Sequence, residues 1–205
     1  MLALATRWAP PLADPLPSYE DDLALAAAAG AGDPKASEQF VRRALPVVRR
    51  VARAIIADPT ESDDALQLAL IEVLTAARTY RGTGALEPWM RKVASRVVIR
   101  HARKARSSRI NPLEDHEALT PTSMHTTVLE SLPRSLEHYL GELPDNQRLA
   151  MLLRHALGHS IAEISELTNA PVPTVLSRIK AARQQLRRLI QRDINLGVGS
   201  VARTS

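Results

Sequence analysis

Between Ile161 and Leu189 apolar side chains recur at steps of three and four, a rhythm that admits helices and little else. Ile161, Ile164 and Leu167 lie on one face of a short helix, and Val175, Ile179, Ala182, Leu186 and Leu189 form one stripe along a longer one. Thr168 to Val172 reads as the turn between them, with Asn169 able to take a left-handed backbone. Pro173 starts the second helix, because a proline in the first turn gives up no hydrogen bond and arrives with its φ set. No stretch of the chain alternates apolar and polar residues as a half-buried strand would. Aromatic residues make up only 3%, so the cores must be built from Leu, Ile, Val and Ala, which suits helix-on-helix packing. The expected fold class is all-α, as two small helical domains joined by a flexible linker.

Opposite its stripe, the second helix carries Thr174, Ser177, Arg178, Lys180, Arg183, Gln184, Arg187 and Arg188. These residue types bond phosphates and base edges in a major groove, though such a face also fits simple solvation. The turn and the short partner helix favour the first reading. Two helices joined tightly, the second basic on its outer face, have the docking geometry of a helix-turn-helix.

A net charge of +5 over 205 residues suits a polyanionic partner, and its distribution says more. From Arg91 to Arg109 there are eight Lys or Arg residues and no acid, while Glu20 to Asp22 and Glu61 to Asp64 are acidic. With no cysteine there can be no disulfide and no thiolate metal site. The start of the chain does not have the pattern of a signal peptide. No apolar run approaches the roughly 20 residues of a membrane span, so a cytoplasmic protein is expected. The apolar run Leu23 to Ala31, bounded by Asp22 and Asp33, reads as a packed helix.

Residues 1–19 form a proline-rich leader and 20–105 a first helical unit, punctuated by Gly32-Asp33-Pro34, Ala57-Asp58-Pro59 and Arg81-Gly82-Thr83-Gly84. Residues 106–131, rich in Ser, Thr and Pro, read as the linker, 132–193 as the second unit and 194–205 as a frayed tail. In the first unit, Asp58 to Asp63 supplies a helix start with acids in the first turn, and Ala65, Leu66, Ala69, Leu70, Val73 and Leu74 bury one side. Asp63, Asp64 and Gln67 are left outside, where capping and solvation would account for them. Tyr80 to Leu86 is a loop, and Pro88-Trp89 opens a helix on which Lys92, Arg96, Arg100 and Arg103 repeat at four, four and three. That spacing makes a cationic rail, suited to phosphates or to plain solvation.

Taken together, these segments resemble the sigma-70 family of RNA polymerase initiation factors, in its small two-domain extracytoplasmic-function (ECF) group. DPTESDDALQLALIEVL is similar to the family's polymerase-binding helix, YRGTGALEPWM to its promoter-melting loop, and VASRVVIRHARK to the helix that meets the minus-10 element. LPDNQR followed by LGHSIAEISELTNAPVPTVLSRIKAAR is similar to the minus-35 reader. The resemblance covers about 21–104 and 140–189. It implies core polymerase as partner, through the β′ clamp helices and the β flap, promoter DNA as ligand, and room for an anti-sigma factor. By position, Asp63, Asp64 and Gln67 would meet the clamp helices. Tyr80, Arg81, Gly82, Thr83 and Gly84 would hold a base flipped from the non-template strand, with Trp89 beside them and mostly in the core. Gly82 and Gly84 suit a close approach of backbone to that base, although a plain helix-helix turn would also use Gly84. Lys92, Arg96, Arg100 and Arg103 would track phosphates, and Thr174, Ser177, Arg178, Lys180 and Arg183 would serve the minus-35 duplex.

The chain departs from the family pattern in places. Leu176 and Ala181 stand where basic residues are usual, Pro173 replaces a glycine, and Ser37, Val41, Ala44 and Leu74 stand where bulky aromatics are frequent. No catalytic cluster, phosphate-cradling loop, cofactor motif or metal site is legible, so a non-catalytic subunit is expected. His155 and His159, four apart but split by Gly158, read as solvated. A stand-alone helix-turn-helix regulator is the alternative; it would need neither the acidic helix at Asp63 nor the YRGTG loop. A nucleic-acid-processing enzyme or RNA-binding scaffold would need a catalytic cluster or exposed stacking aromatics.

Overall fold

The structure is a computed structural model that describes residues 19–109 and 132–197; the leader, most of the linker and the end of the tail lie outside the described residues. All the described elements are helical: α1 (Tyr19–Gly30), α2 (Pro34–Ile55), α3 (Pro59–Ala76), α4 (Leu86–Arg109), α5 (Leu136–Gly141), α6 (Asp145–Met151), α7 (Ile161–Thr168) and α8 (Val172–Asn195). A 3-10 turn (Ala77–Thr79) follows α3, and a π-helical turn (Leu152–Ala156) extends α6.

In the first unit the Asp-Pro pairs act as helix starts. Asp33 accepts the Ala36 N–H and Asp58 the Glu61 N–H, each at 2.7 Å, and the following proline occupies the first turn. Pro46, inside α2, removes one backbone hydrogen bond without ending the helix. Helices α2, α3 and α4 pack on one another and α1 lies against α2. Phe40, Val48, Val51, Val73, Met90 and Val98 are buried at their centre. A Cβ on Gly30 would meet the Arg78 backbone nitrogen at 2.7 Å, so the end of α1 closes on the 3-10 turn only because that residue has no side chain. Helix α4 continues to Arg109, three residues past where the linker was expected to begin.

The second unit surrounds Tyr139, Leu153, Ile164 and Val175, all fully buried. The Tyr139 hydroxyl donates to Asp193 at 3.1 Å and so ties α5 to the far end of α8. Ser160 and Glu163 form a reciprocal capping box at the start of α7. Asn169 ends that helix in the left-handed conformation, at φ 51° and ψ 46°. Helix α8 begins at Val172, one residue before the proline that marked it, and its stripe is buried at Val175, Ile179, Ala182 and Leu186 and half-buried at Leu189.

Candidate nucleic-acid interface

Helix α3 presents Asp63, Asp64, Gln67, Leu68 and Ile71 to solvent, while Ala65, Leu66, Ala69 and Val73 face the core. Ile71 is 64% exposed and Leu68 49%, so two branched aliphatic side chains lie in water beside two carboxylates. Asp58, rather than Asp63 or Asp64, caps the helix. The outer acids are thereby left on an open face of mixed character.

The loop that follows is shaped from within. Tyr80 is buried, its ring centroid lies 5.6 Å from that of Trp89, and its hydroxyl donates to the Gly84 carbonyl across the loop. Burial raises the Tyr80 pKa above its ordinary value, and the nearby Asp22 carboxylate adds to the effect, so the hydroxyl keeps its proton. Gly82 has φ +65°, a region L side chains rarely adopt, and faces Leu23; a Cβ on Gly84 would meet nothing within 4 Å. Arg81 and Thr83 are exposed at the tip. Sequence reasoning missed the group that anchors this loop. Asp22, 2% exposed, accepts from Arg43 at 2.6 Å and from the Leu86 N–H at 3.1 Å. The latter is one of the orphan donors at the start of α4, where a carboxylate is also favoured by the helix dipole. In the sequence Asp22 is only the last of three consecutive acids, and the packing of α1 on α2 turns it inward.

Along α4 the rail divides. Arg96, Arg100 and Arg103 are exposed and Lys92 is half-buried; Lys92 pairs with Glu166 of α7 at 2.7 Å, and Arg103 also reaches the Thr168 carbonyl at 3.4 Å. The second unit packs on this helix. Ser95 and His159, both fully buried, share a 2.9 Å hydrogen bond, Arg50 of α2 donates to the Ala156 carbonyl at 2.8 Å, and Arg106 pairs with Asp145. A cavity of about 230 Å³ lies between the units, with Ile55, Ile99 and Ala102 on one side, Leu149, Leu152 and Arg178 on the other. His159 was expected to be solvated, and the expectation was wrong. The turn after the π-helical segment folds its ring against α4. Burial pushes its pKa down; Glu163 offsets this in part, but its carboxylate is 3.8 Å from Nδ1, beyond hydrogen-bond reach. Burial would push Glu163 up, but the Ser160 cap holds its carboxylate below the usual range.

Of the candidates on α8, Ser177, Lys180 and Arg183 are exposed, Thr174 is half-buried, and Arg178 is half-buried at the inter-unit cavity. Ser177 donates to the Thr174 carbonyl at 3.0 Å, and Arg183 lies 3.2 Å from His155. The two units thus display a helix-turn-helix and a basic helix on one chain. Residues 40–108 match the family Sigma-70 region 2, and residues 134–186 match Sigma-70, region 4. ECF RNA polymerase sigma factor SigM of Mycobacterium tuberculosis is 31% identical over 169 residues, which span 82% of this chain and 84% of the relative. The chain belongs to the sigma-70 family of RNA polymerase sigma factors, in its ECF group.

Another ECF relative, SigC of Mycobacterium tuberculosis, is 29% identical over 164 residues, 80% of this chain and 88% of the relative. Among solved structures, the sigma factor RpoE in complex with the anti-sigma factor NepR from Bartonella quintana has a TM-score of 0.57 at 20% identity. That match covers 78% of this chain and 99% of RpoE. CnrH in complex with the cytosolic domain of CnrY has a TM-score of 0.53 at 21% identity, over 84% of this chain and 98% of CnrH. Both solved structures share the fold. As a sigma factor, the chain acts with core RNA polymerase on promoter DNA, and the stand-alone regulator is not favoured. Sigma factors are DNA-recognition subunits. Among the described residues no helix is long and apolar enough to cross a membrane.

Proposed function

We propose that residues 20–105, continued by α4 to Arg109, bind core polymerase and open the minus-10 element, and that residues 132–193 read the minus-35 element. Residues 1–19, 106–131 and 194–205 would be leader, linker and tail, the first four residues of the linker being the end of α4. Asp63, Asp64 and Gln67 dock on the β′ clamp helices, with Leu68 and Ile71 supplying apolar contact on the same face. The loop Tyr80, Arg81, Gly82, Thr83, Gly84 accepts a flipped base above Trp89. Lys92, Arg96, Arg100 and Arg103 follow the phosphates, which requires Lys92 and Arg103 to leave Glu166 and Thr168. Thr174, Ser177, Arg178, Lys180 and Arg183 meet the minus-35 duplex, and the second unit also meets the β flap. The subunit is cytoplasmic and non-catalytic, the chemistry being that of the polymerase. An anti-sigma partner, of the kind bound to RpoE in the solved complex, is expected to regulate it.

The observation that carries this reading is the open face of α3, where Asp63, Asp64 and Gln67 stand exposed beside Ile71 with no part in the core. A DNA-binding module working alone has no use for it. Core polymerase supplemented with the chain should give run-off transcripts from a cognate promoter, and Asp64→Arg should abolish them while leaving the circular-dichroism spectrum unchanged. Full activity of that variant would sink the docking assignment.

A further inference from the structure

Two aliphatic side chains at the start of α8 take no part in its core. Val172 is 42% exposed and Leu176 51%, while Val175 and Ile179 between and beyond them are buried and hold the helix in place. Four residues apart, Val172 and Leu176 are neighbours on the helix surface. Ser177 and Lys180 beside them are exposed, and α8 carries no acid from Val172 to Arg192. The patch is thus a small apolar island on a cationic helix. An occupant that is polyanionic overall and apolar at one point fits it, and a DNA major groove that presents a thymine has that character. A helix-turn-helix places the first residues of its second helix against base edges. The apolar group on those edges is the C5-methyl of thymine, and an aliphatic side chain has nothing to offer the donors and acceptors of other bases.

We propose that Leu176, backed by Val172, reads the C5-methyl of a thymine in the minus-35 element. The proposal rests on assigning α8 to that element, and it makes Leu176 a specificity-determining residue. Seating one methyl group between two branched side chains is worth roughly fourfold in affinity.

Holoenzyme reconstituted from core polymerase and the full chain would select minus-35 sequences from a randomised library. Each selected thymine would then be replaced by deoxyuridine, which lacks only the methyl. One thymine should be sensitive, its replacement weakening binding about fourfold. Leu176→Ala should bind thymine and deoxyuridine duplexes equally, with Val172→Ala intermediate; both positions are exposed, so the fold is retained. Leu176→Arg should shift the preference at that position from thymine towards guanine, whose O6 and N7 take a bidentate arginine. If sequences are enriched but every thymine tolerates deoxyuridine, or if Leu176→Ala keeps the methyl preference, the proposal is overturned alone. If nothing is enriched at minus-35, the assignment of α8 fails and the proposal falls with it.

Discussion

Ser95→Ala should loosen the docking of the second unit on α4 more than removal of the nearby ion pair does. The Ser95 hydroxyl and His159 Nε2 lie 2.9 Å apart, and both residues are fully buried. Deleting the hydroxyl leaves Nε2 buried with no partner, at a cost of about 1–3 kcal/mol. Nδ1 already has none. Lys92 and Glu166 are closer, at 2.7 Å, but their side chains are 32% and 58% exposed. Water screens such a pair, and about 0.2–1 kcal/mol is all it offers. At about 1.4 kcal/mol per decade, Ser95→Ala should lower the docked-to-undocked ratio roughly 5- to 150-fold and Glu166→Ala no more than about fivefold. The chain has no cysteine, so Thr75→Cys and Arg187→Cys introduce just two labelling sites, both exposed. Single-molecule energy transfer between dyes there, across a urea series that populates both states, reads the ratio directly. A larger effect from Glu166→Ala would refute the ranking of buried hydrogen bond over exposed ion pair, and no effect from either would refute the docking contacts themselves.

Docking should also weaken on acidification. Arg91 and Lys92 on α4, with Glu163 in the second unit, face the buried His159 ring, and the net effect is a depressed pKa. The undocked ring takes a proton near its ordinary value of about 6.5 and the docked ring resists it, so docking is fully present above that pH and lost as pH falls below it. The same energy-transfer pair should show this, and His159→Gln should flatten the profile; docking that strengthens in acid would reverse the argument. Asp22→Ala strands the half-buried Arg43 and the Leu86 N–H, and should cost about 2–3 kcal/mol in urea unfolding of the first unit, whereas Asp22→Asn, which keeps an acceptor, should cost less. Equal losses would mean that the hydrogen bond to Leu86 contributes nothing. Gly30→Ala should lower stability by about 1–3 kcal/mol through its clash with the Arg78 backbone, while Gly84→Ala, whose Cβ meets nothing, should leave the melting temperature unchanged. The reverse order would contradict the packing described.

Much of the site was legible because its signals are local. Pro173, Asn169 and the stripe from Val175 to Leu189 identify a helix-turn-helix by backbone preference and periodicity, and the structure moves its start by one residue. The Asp58-Pro59 start was equally plain, Gly32-Asp33-Pro34 was legible as a break, and the exposure of Asp63, Asp64 and Gln67 followed from which positions the apolar face of α3 consumes. The Ser160-x-x-Glu163 capping box was also readable in the sequence, and would have placed His159 just outside the helix, next to a packed turn.

The burial of His159 and of Asp22 could not be read in this way. Each residue's partners lie 64 positions away or on another helix, Ser95 for one and Arg43 with Leu86 for the other, and no periodicity within a helix encodes which neighbour will cover an end. The division of the rail has the same origin. Spacing alone put Lys92, Arg96, Arg100 and Arg103 on one face, but α7 packs against only one edge of it, where Lys92 pairs with Glu166 and the still exposed Arg103 touches the Thr168 carbonyl, while Arg96 and Arg100 stay in water. Local residue patterns were enough to read the helices, their apolar faces, the two helical units and hence the family. Which of those charges stay in water and which are paired across the two units follows from the tertiary packing, because it depends on the docking of surfaces far apart along the chain.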